Sequence, residues 1–357
     1  MRILFVTATR IGDAVLSTAL LDHLLRAHPG ARVTVACGPA AAGVFARMPG
    51  LERLIVLAKR PWSLHWLDLW RAVAFTRWDL VVDLRASALA WLVPARRRAI
   101  GKGGRRPGHR LTHLAEVLGL HAPFNNVAPA PSPQPSPARG EGVGLLPLPS
   151  REGAGGRGSR ATLDAPGPQA TALPLPVAWT APADEARAAA LLPGAPWLVL
   201  GPTANWDRKV WPADRFIAAA RALTAPHAPL ANARLAVLGG PGEAERAMAA
   251  PVLAAFPHAV DLVGTLSLPE VAAVLRRAAL FLGNDSGLMH LAAAAGAPTI
   301  GLFGMSDPRE YGPAGPRAVA VQADGEPFHT TMEELPVDRV VAAADALLAR
   351  AAPCEAG

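Results

Sequence analysis

The chain has 357 residues, of which 51% are hydrophobic and 18% are charged. This length suffices for two domains, and no apolar run reaches the roughly 20 residues that a membrane-spanning helix needs. The apolar stretch after Met1 is too short for a signal peptide, and the two cysteines suggest neither a disulfide framework nor a thiolate zinc site. We therefore expect a cytoplasmic protein.

The net charge of +7 is unevenly distributed along the chain. Residues 1–130 carry a net charge of +11, whereas residues 178–357 carry −5. A basic N-terminal half suits an anionic partner, such as a phosphorylated glycolipid or an acidic membrane surface, although a solvated basic face is an alternative. We expect no nucleic-acid partner, because no helix-turn-helix, zinc-finger or RNA-binding aromatic motif accompanies the charge.

The first 120 residues alternate short apolar runs with helical stretches, which is typical of a doubly wound parallel sheet. The pattern predicts a helix at 13–27 and strands at 3–7, 32–37, 54–57, 80–83 and 98–100.

Three tryptophans, Trp62, Trp66 and Trp70, follow one another at four-residue spacing in the segment PWSLHWLDLWRAVAFTRW. This spacing predicts one face of a helix, and burial of that face in the core is the favoured interpretation. The alternative is contact with a membrane, because tryptophan prefers the boundary between lipid and water.

Between residues 123 and 177 the periodicity disappears, and Pro, Gly, Ser and Ala dominate. Such a composition cannot bury enough apolar surface to offset chain entropy, so we interpret this segment as a disordered linker or insertion. Its GAGGRG run matches the dinucleotide pattern only formally, since no strand precedes it and no helix follows.

Alternation resumes after the linker. Strands are predicted at 197–200, 234–238 and 280–282, and helices at 184–192, 212–223, 243–256, 268–277, 288–295 and 337–351.

The most informative stretch covers residues 281–304, FLGNDSGLMHLAAAAGAPTIGLFG. The apolar strand at 280–282 ends at a polar turn, and a small-residue helix follows; Asn284, Asp285 and Ser286 in this turn are good helix N-cap residues. The free N–H groups and the partial positive charge of a helix amino end favour a bound phosphate. The alternative is an ordinary turn in which Asp285 or Ser286 merely caps the helix.

Three ordered segments together resemble glycosyltransferase family 9, the ADP-heptose:lipopolysaccharide heptosyltransferases. They are RIGDAVLSTALLDHLLRAHPGARV, GPTANWDRKVWPADRF and DSGLMHLAAAAGAPTIGLFG. The resemblance implies an α/β fold of the GT-B type, with two Rossmann-like doubly wound domains that face a central cleft. The implied division is an acceptor-side domain at 1–122, the linker at 123–177, a nucleotide-sugar donor domain at 178–335, and a C-terminal helix and tail at 336–357.

The resemblance also assigns candidate residues on the acceptor side. Asp13 in RIGD matches the proposed general base of the family, although an N-cap for the following helix is an alternative role. An aspartate is ionised at pH 7 and is therefore able to accept a proton. Thr9, Arg10 and Gly12 lie beside it and are candidates for acceptor binding.

On the donor side, the family places a lysine on the donor phosphates at the position of Lys209. Its charge would stabilise the leaving diphosphate. Thr203 matches a threonine that contacts phosphate, whereas Arg208 either assists Lys209 or is a plain surface residue. Glu243 is a candidate for the ribose, with Glu245 equally polar two residues away.

In the signature itself, Asp285, Ser286, Gly287 and Leu288 would present the helix end to the diphosphate, and His290 would hydrogen-bond the diphosphate or the sugar. The chain contains no Asp-x-Asp motif and no His or Cys cluster with metal-ligand spacing. We therefore expect no metal and no other cofactor.

The resemblance implies an inverting transferase that moves a sugar, heptose from ADP-heptose, to a lipopolysaccharide core or a related anionic glycolipid at the inner membrane surface. A catalytically inactive nucleotide- or glycan-binding protein on the same scaffold remains an alternative. A nicotinamide-dependent oxidoreductase is disfavoured, because residues 7–12 lack the glycine-rich turn that it needs after the first strand.

Overall fold

The computed structural model describes residues 1–102, 104, 106–121, 124, 173–194 and 196–350. Apart from Phe124 and residues 173–177, the predicted linker at 123–177 lies outside the described residues. The described chain forms two parallel β-sheets, each surrounded by helices.

The N-terminal sheet has the strand order β3-β2-β1-β4-β5. Its strands are β1 (Arg2–Val6), β2 (Arg32–Cys37), β3 (Leu51–Val56), β4 (Trp78–Asp83) and β5 (Ala95–Ile100). The helices of this half are α1 (Ile11–Ala27), α2 (Ala42–Phe45), α3 (His65–Val73), α4 (Leu89–Leu92) and α5 (Arg110–Ala115). The order reverses between β1 and β4, and ligands of such sheets bind at the carboxyl ends of strands at this point.

The C-terminal sheet has the order β11-β10-β9-β6-β7-β8 and reverses between β6 and β9. Its strands are β6 (Trp197–Gly201), β7 (Arg234–Gly239), β8 (Val260–Val263), β9 (Leu280–Asn284), β10 (Thr299–Phe303) and β11 (Ala318–Gln322). Its helices are α6 (Pro182–Leu191), α7 (Ala213–Leu223), α8 (Glu243–Ala255), α9 (Leu268–Arg276), α10 (Gly287–Ala295), α11 (Pro308–Tyr311) and α12 (Val337–Ala349).

The central strands of both sheets read as continuous apolar runs because helices cover both of their faces. Every residue of β6, β9 and β10 is buried. Full burial of one such aliphatic or aromatic side chain contributes about 1.5–3 kcal/mol. Helix α12 packs against α7, β10 and β11, and it therefore adds to the core of the C-terminal sheet.

The two halves meet through their helices, with α1 packed against α10 and α2 against α9. Arg47 donates two hydrogen bonds to the carboxylate of Asp184, at 2.9 and 3.2 Å. The Val177 N–H donates to the Thr18 hydroxyl at 2.9 Å. Helices α1 and α10 therefore form part of the interface between the two halves.

The prediction of a single helical stripe of tryptophans is wrong for Trp62. Helix α3 begins only at His65, and Trp62 lies in the preceding 3-10 turn, where the residue is 95% exposed. Trp66 and Trp70 are half-buried and pack against the core between α3 and β4. Within the described ranges, no helix combines the length and the apolar character needed to cross a bilayer.

Candidate active site at the facing helix ends

The amino end of α10 lies at the carboxyl edge of the C-terminal sheet. Strand β9 ends at Asn284, and α10 begins at Gly287 after Asp285 and Ser286. Ser286 has the extended backbone of an N-cap residue, and its side chain makes no capping hydrogen bond. The first-turn N–H groups of a helix have no intrahelical acceptors and carry partial positive charge, so this end is suited to an anion.

The amino end of α1 lies against this helix end. A Cβ atom on Gly12 would come within 2.8 Å of His290 Cδ2, and one on Gly287 would come within 2.8 Å of Ile11 Cβ. Glycine is therefore required at both positions for the helices to approach. Asp13 follows Gly12 directly, so the structure brings this carboxylate to the same junction as the end of α10.

His290 lies at the centre of the junction and is buried. Burial lowers its pKa, and the opposing effects of Asp285 and Asp13, which raise the pKa, are smaller. The imidazole is therefore neutral at pH 7, with one nitrogen able to donate and the other able to accept. Its Nδ1 atom makes no hydrogen bond within the described part of the chain.

The loop after β6 is attached to the end of β9 by two contacts. Lys209 Nζ lies 2.5 Å from a carboxylate oxygen of Asp285, and the Trp211 N–H donates to Asn284 Oδ1 at 3.0 Å. The Asp285 side chain is only 7% exposed, whereas that of Lys209 is 25% exposed. The more exposed group of this ion pair is the ammonium of Lys209, so a ligand at the amino end of α10 would meet its positive charge.

Thr203, which is buried and follows β6, pairs with the half-buried Glu245 near the carboxyl ends of β6 and β7. The Thr203 hydroxyl donates to Glu245 Oε2 at 2.7 Å, and the Gly240 N–H donates to the same oxygen. Glu243 is exposed in the first turn of α8. Of the two glutamates, Glu245 is thus the one held at the end of the sheet.

Two further donor-side candidates occupy different positions. Arg208 is exposed, with its guanidinium 5.7 Å from the centre of the Trp206 ring. Leu288 is half-buried in the first turn of α10. Among the residues that the structure describes, no group of three or more His, Cys, Asp or Glu side chains is arranged to hold a metal ion.

A pocket of about 250 Å³ opens on the N-terminal half beside Asp13. It is lined by Thr7, Ala8, Thr9, Arg10, Asp13, Leu84, Arg85, Arg110 and Leu114. Asp13 Oδ1 lies 3.6 Å from Arg110 Nε. Three guanidinium groups and one carboxylate in so small a space favour an anionic ligand.

Sequence reasoning did not single out Arg85 or Arg110 as site residues. Arg85 follows the carboxyl end of β4, where the carboxylate of Asp83 accepts the N–H groups of Arg85 and Ser87 at 2.8 and 2.9 Å. Because β4 pairs with β1, the loops after the two strands meet. That pairing of neighbouring strands is the signal that would have identified Arg85.

His109 connects the two halves beside this pocket. Its Nδ1 accepts the Leu111 N–H at 3.1 Å, and its Nε2 lies 3.0 Å from the carbonyl oxygen of Gly312, to which it donates. Gly312 follows Tyr311, whose pKa is raised by burial and then by the charge of Asp13. His109 therefore joins the start of α5, with Arg110, to the segment that carries Tyr311.

We expect His109 to make folding stability fall in mild acid. Burial lowers its pKa from 6.5 to about 4, so the unfolded chain binds a proton that the folded chain excludes. The free energy of unfolding should fall by up to about 3 kcal/mol as the pH drops through this window, and no such loss should occur above it. Urea unfolding between pH 7 and pH 4 measures the slope.

The variant His109→Asn should make that slope shallower, because asparagine still caps α5 but does not titrate. Buried His290, whose pKa is also lowered, accounts for part of the slope that remains. His258→Asn, on the surface of the C-terminal half, is the matched control and should leave the slope unchanged. Equal slopes in the His109→Asn variant and the unmodified chain would contradict this assignment.

The chain is similar to known heptosyltransferases in sequence. The family model of glycosyltransferase family 9 (heptosyltransferase) matches residues 161–338. Lipopolysaccharide heptosyltransferase 3 of Escherichia coli is 32% identical over 116 residues, which cover 32% of this chain and a third (33%) of that relative. Lipopolysaccharide heptosyltransferase 1 of Pseudomonas aeruginosa is 27% identical over 344 residues, covering 91% of this chain and 84% of that relative.

Solved structures show the same fold. The crystal structure of a family 9 glycosyltransferase from Veillonella parvula superposes with a TM-score of 0.71 at 19% identity, covering 98% of this chain and 97% of that one. The Escherichia coli heptosyltransferase WaaC with ADP gives a TM-score of 0.63 at 19% identity, covering 95% and 98%. The predicted GT-B architecture is thereby confirmed. The chain belongs to glycosyltransferase family 9, the heptosyltransferase family, and is a glycosyltransferase.

Proposed function

We propose that the chain transfers heptose from ADP-heptose to a hydroxyl group of an anionic lipopolysaccharide core glycolipid, with inversion and without a metal ion. The observation that carries this proposal is the junction of the two helix ends. Asp13, which supplies a carboxylate, and the amino end of α10 with Lys209 beside it both lie close to His290.

The charges at the amino end of α10 support binding of the donor diphosphate there. A diphosphate there would accept hydrogen bonds from the N–H groups of Gly287 and Leu288 and would draw the ammonium group of Lys209 away from Asp285. Neutral His290 would donate a further hydrogen bond. ADP-heptose is supported as the donor because related WaaC structures contain ADP and ADP-2-deoxy-2-fluoro heptose.

The pocket beside Asp13 supports binding of an anionic acceptor there. Arg10, Arg85 and Arg110 supply three positive charges within reach of one ligand. Guanidinium groups bind carboxylates and phosphates through paired hydrogen bonds, so an acidic sugar or a phosphorylated one suits this pocket. Arg110 Nε also lies 3.6 Å from Asp13 Oδ1, so the guanidinium and the proposed base share this pocket.

The reaction in this geometry is a single displacement. Asp13 takes the proton of the acceptor hydroxyl, and the oxygen forms a bond to the anomeric carbon of the donor while the bond from that carbon to the diphosphate breaks. The nucleoside diphosphate leaves with the electron pair of that bond. Lys209 and the N–H groups of α10 stabilise the negative charge that grows on it, which is worth several kcal/mol in a preorganised site.

Release of free nucleoside diphosphate tests the proposal. We expect release only when both the donor and a lipopolysaccharide core acceptor are present, and we expect the same rate in EDTA. A thermal-shift panel of nucleotide sugars should show the largest increase in Tm with ADP-heptose. Binding of the nucleotide without release under any condition would instead support the inactive binding protein.

A further inference from the structure

The N-terminal half carries an unusual group of exposed apolar side chains. We name Trp62, Phe75, Trp91 and Leu92 the aromatic patch; they are 95%, 91%, 69% and 63% exposed. Single exposed apolar residues are normal on protein surfaces, but several large ones in one region mark an interaction site.

These four residues lie on or beside two neighbouring helices, α3 and α4. Trp62 precedes α3, Phe75 follows it, and Trp91 and Leu92 end α4. The Trp70 indole N–H donates to the carbonyl oxygen of Leu92 at 3.1 Å, which holds the end of α4 against the middle of α3. The two helices therefore display the aromatic patch from the same side of the N-terminal sheet.

Local backbone geometry keeps Trp62 exposed. Both Trp62 and Ser63 have positive φ angles, 54° and 56°, which non-glycine residues rarely adopt. The turn ends in α3, whose buried residues Leu69 and Val73 fix the helix to the core. The turn that carries the exposed indole of Trp62 is therefore fixed to the core through α3.

The segment that carries the aromatic patch is rich in positive charge. Residues 59–98 contain eight Lys and Arg but only three Asp and Glu. One of the three, Asp83, is buried and accepts hydrogen bonds from its own turn. Arg98 lies 5.8 Å from the centre of the Trp91 ring, so a cation stands directly beside an exposed indole. Exposed aromatic rings with arginines around them match the interface of an anionic bilayer.

The aromatic patch also adjoins the acceptor pocket. The guanidinium of Arg85, which lines that pocket, lies 5.2 Å from the centre of the Trp66 ring on α3. A surface that faced a bilayer here would bring Arg85, Arg10 and Asp13 to the headgroup layer. We infer that the aromatic patch is the surface by which the N-terminal half binds an anionic lipid bilayer, an inference that rests on the proposed function for the lipid-linked acceptor.

Vesicle co-sedimentation of the full chain tests this inference. The probes are vesicles of phosphatidylcholine alone and vesicles with about a third phosphatidylglycerol. We expect binding to the anionic vesicles, weakened by salt, and little binding to the neutral ones. The double variant Trp62→Ser with Phe75→Ser should lower the partition coefficient about tenfold or more.

A matched pair of substitutions in the other half provides the control. Trp206 and Phe328 are 46% and 48% exposed on the C-terminal half, and Trp206→Ser with Phe328→Ser should leave vesicle binding unchanged. Equal loss in both double variants, or no binding by the unmodified chain, would overturn the inference. So would a dimer in solution that the Trp62→Ser and Phe75→Ser changes convert to a monomer, because a second copy would then cover the aromatic patch. Neither donor nor acceptor is present, so the assay is independent of catalysis.

Discussion

Replacing Asp13 by asparagine should lower kcat about 10³-fold and should change the Kd for ADP by less than about twofold. Asparagine has nearly the same size and keeps a hydrogen-bonding side chain in the first turn of α1, but it cannot take a proton from an acceptor hydroxyl. Initial rates of ADP release, together with calorimetric titration of ADP, separate the two effects.

The change Asp22→Asn is the matched control on the same helix. Asp22 forms an ion pair with Arg26 at 2.7 Å, one turn along α1, and lies outside the residues that line the pocket. It should alter stability by less than about 1 kcal/mol and leave kcat unchanged. If Asp13→Asn retained turnover, Asp13 would be an N-terminal helix residue without a catalytic role, and the proposed reaction would lose its base.

The periodicity of the sequence predicted the interior strands of both sheets apart from β10, because these strands are continuous apolar runs. The edge strands of the N-terminal sheet were also predicted, whereas those of the C-terminal sheet were missed. No strand was predicted at β8 or β11, which lie at the two edges of the C-terminal sheet. Strand β8 has only four residues and carries Asp261 among them, whereas β11 is a short run of Ala and Val that directly follows a segment rich in Pro and Gly.

In the candidate site, the sequence identified residues that belong to a local pattern and missed residues that are placed by contacts distant in the chain. The signature around Asp285 identified the start of α10 because a strand, a polar turn and a helix follow one another in the chain. His109 and Arg85 gave no local signal, because their positions depend on partners far away in sequence, such as Gly312 for His109. Sequence patterns likewise placed Trp62 on a helix because they do not report a turn of positive φ.

Replacing Lys209 by methionine should lower kcat/KM for the donor about 10²- to 10³-fold. Methionine keeps most of the side-chain volume but removes the positive charge that the proposed reaction places on the leaving diphosphate. The variant also leaves the Asp285 carboxylate, which is 7% exposed, without its cation. The free energy of unfolding should therefore fall by about 2 kcal/mol, as measured by urea denaturation at pH 7.

These two consequences of losing Lys209 are separable, because a second substitution removes the stranded charge. In the double variant Lys209→Met with Asp285→Asn, the buried carboxylate is gone, so most of the lost stability should return. Turnover should remain as low as in Lys209→Met, since nothing replaces the ammonium group at the amino end of α10. Recovery of turnover together with stability would mean that Lys209 only neutralises Asp285, and the helix end alone would then have to stabilise the leaving diphosphate.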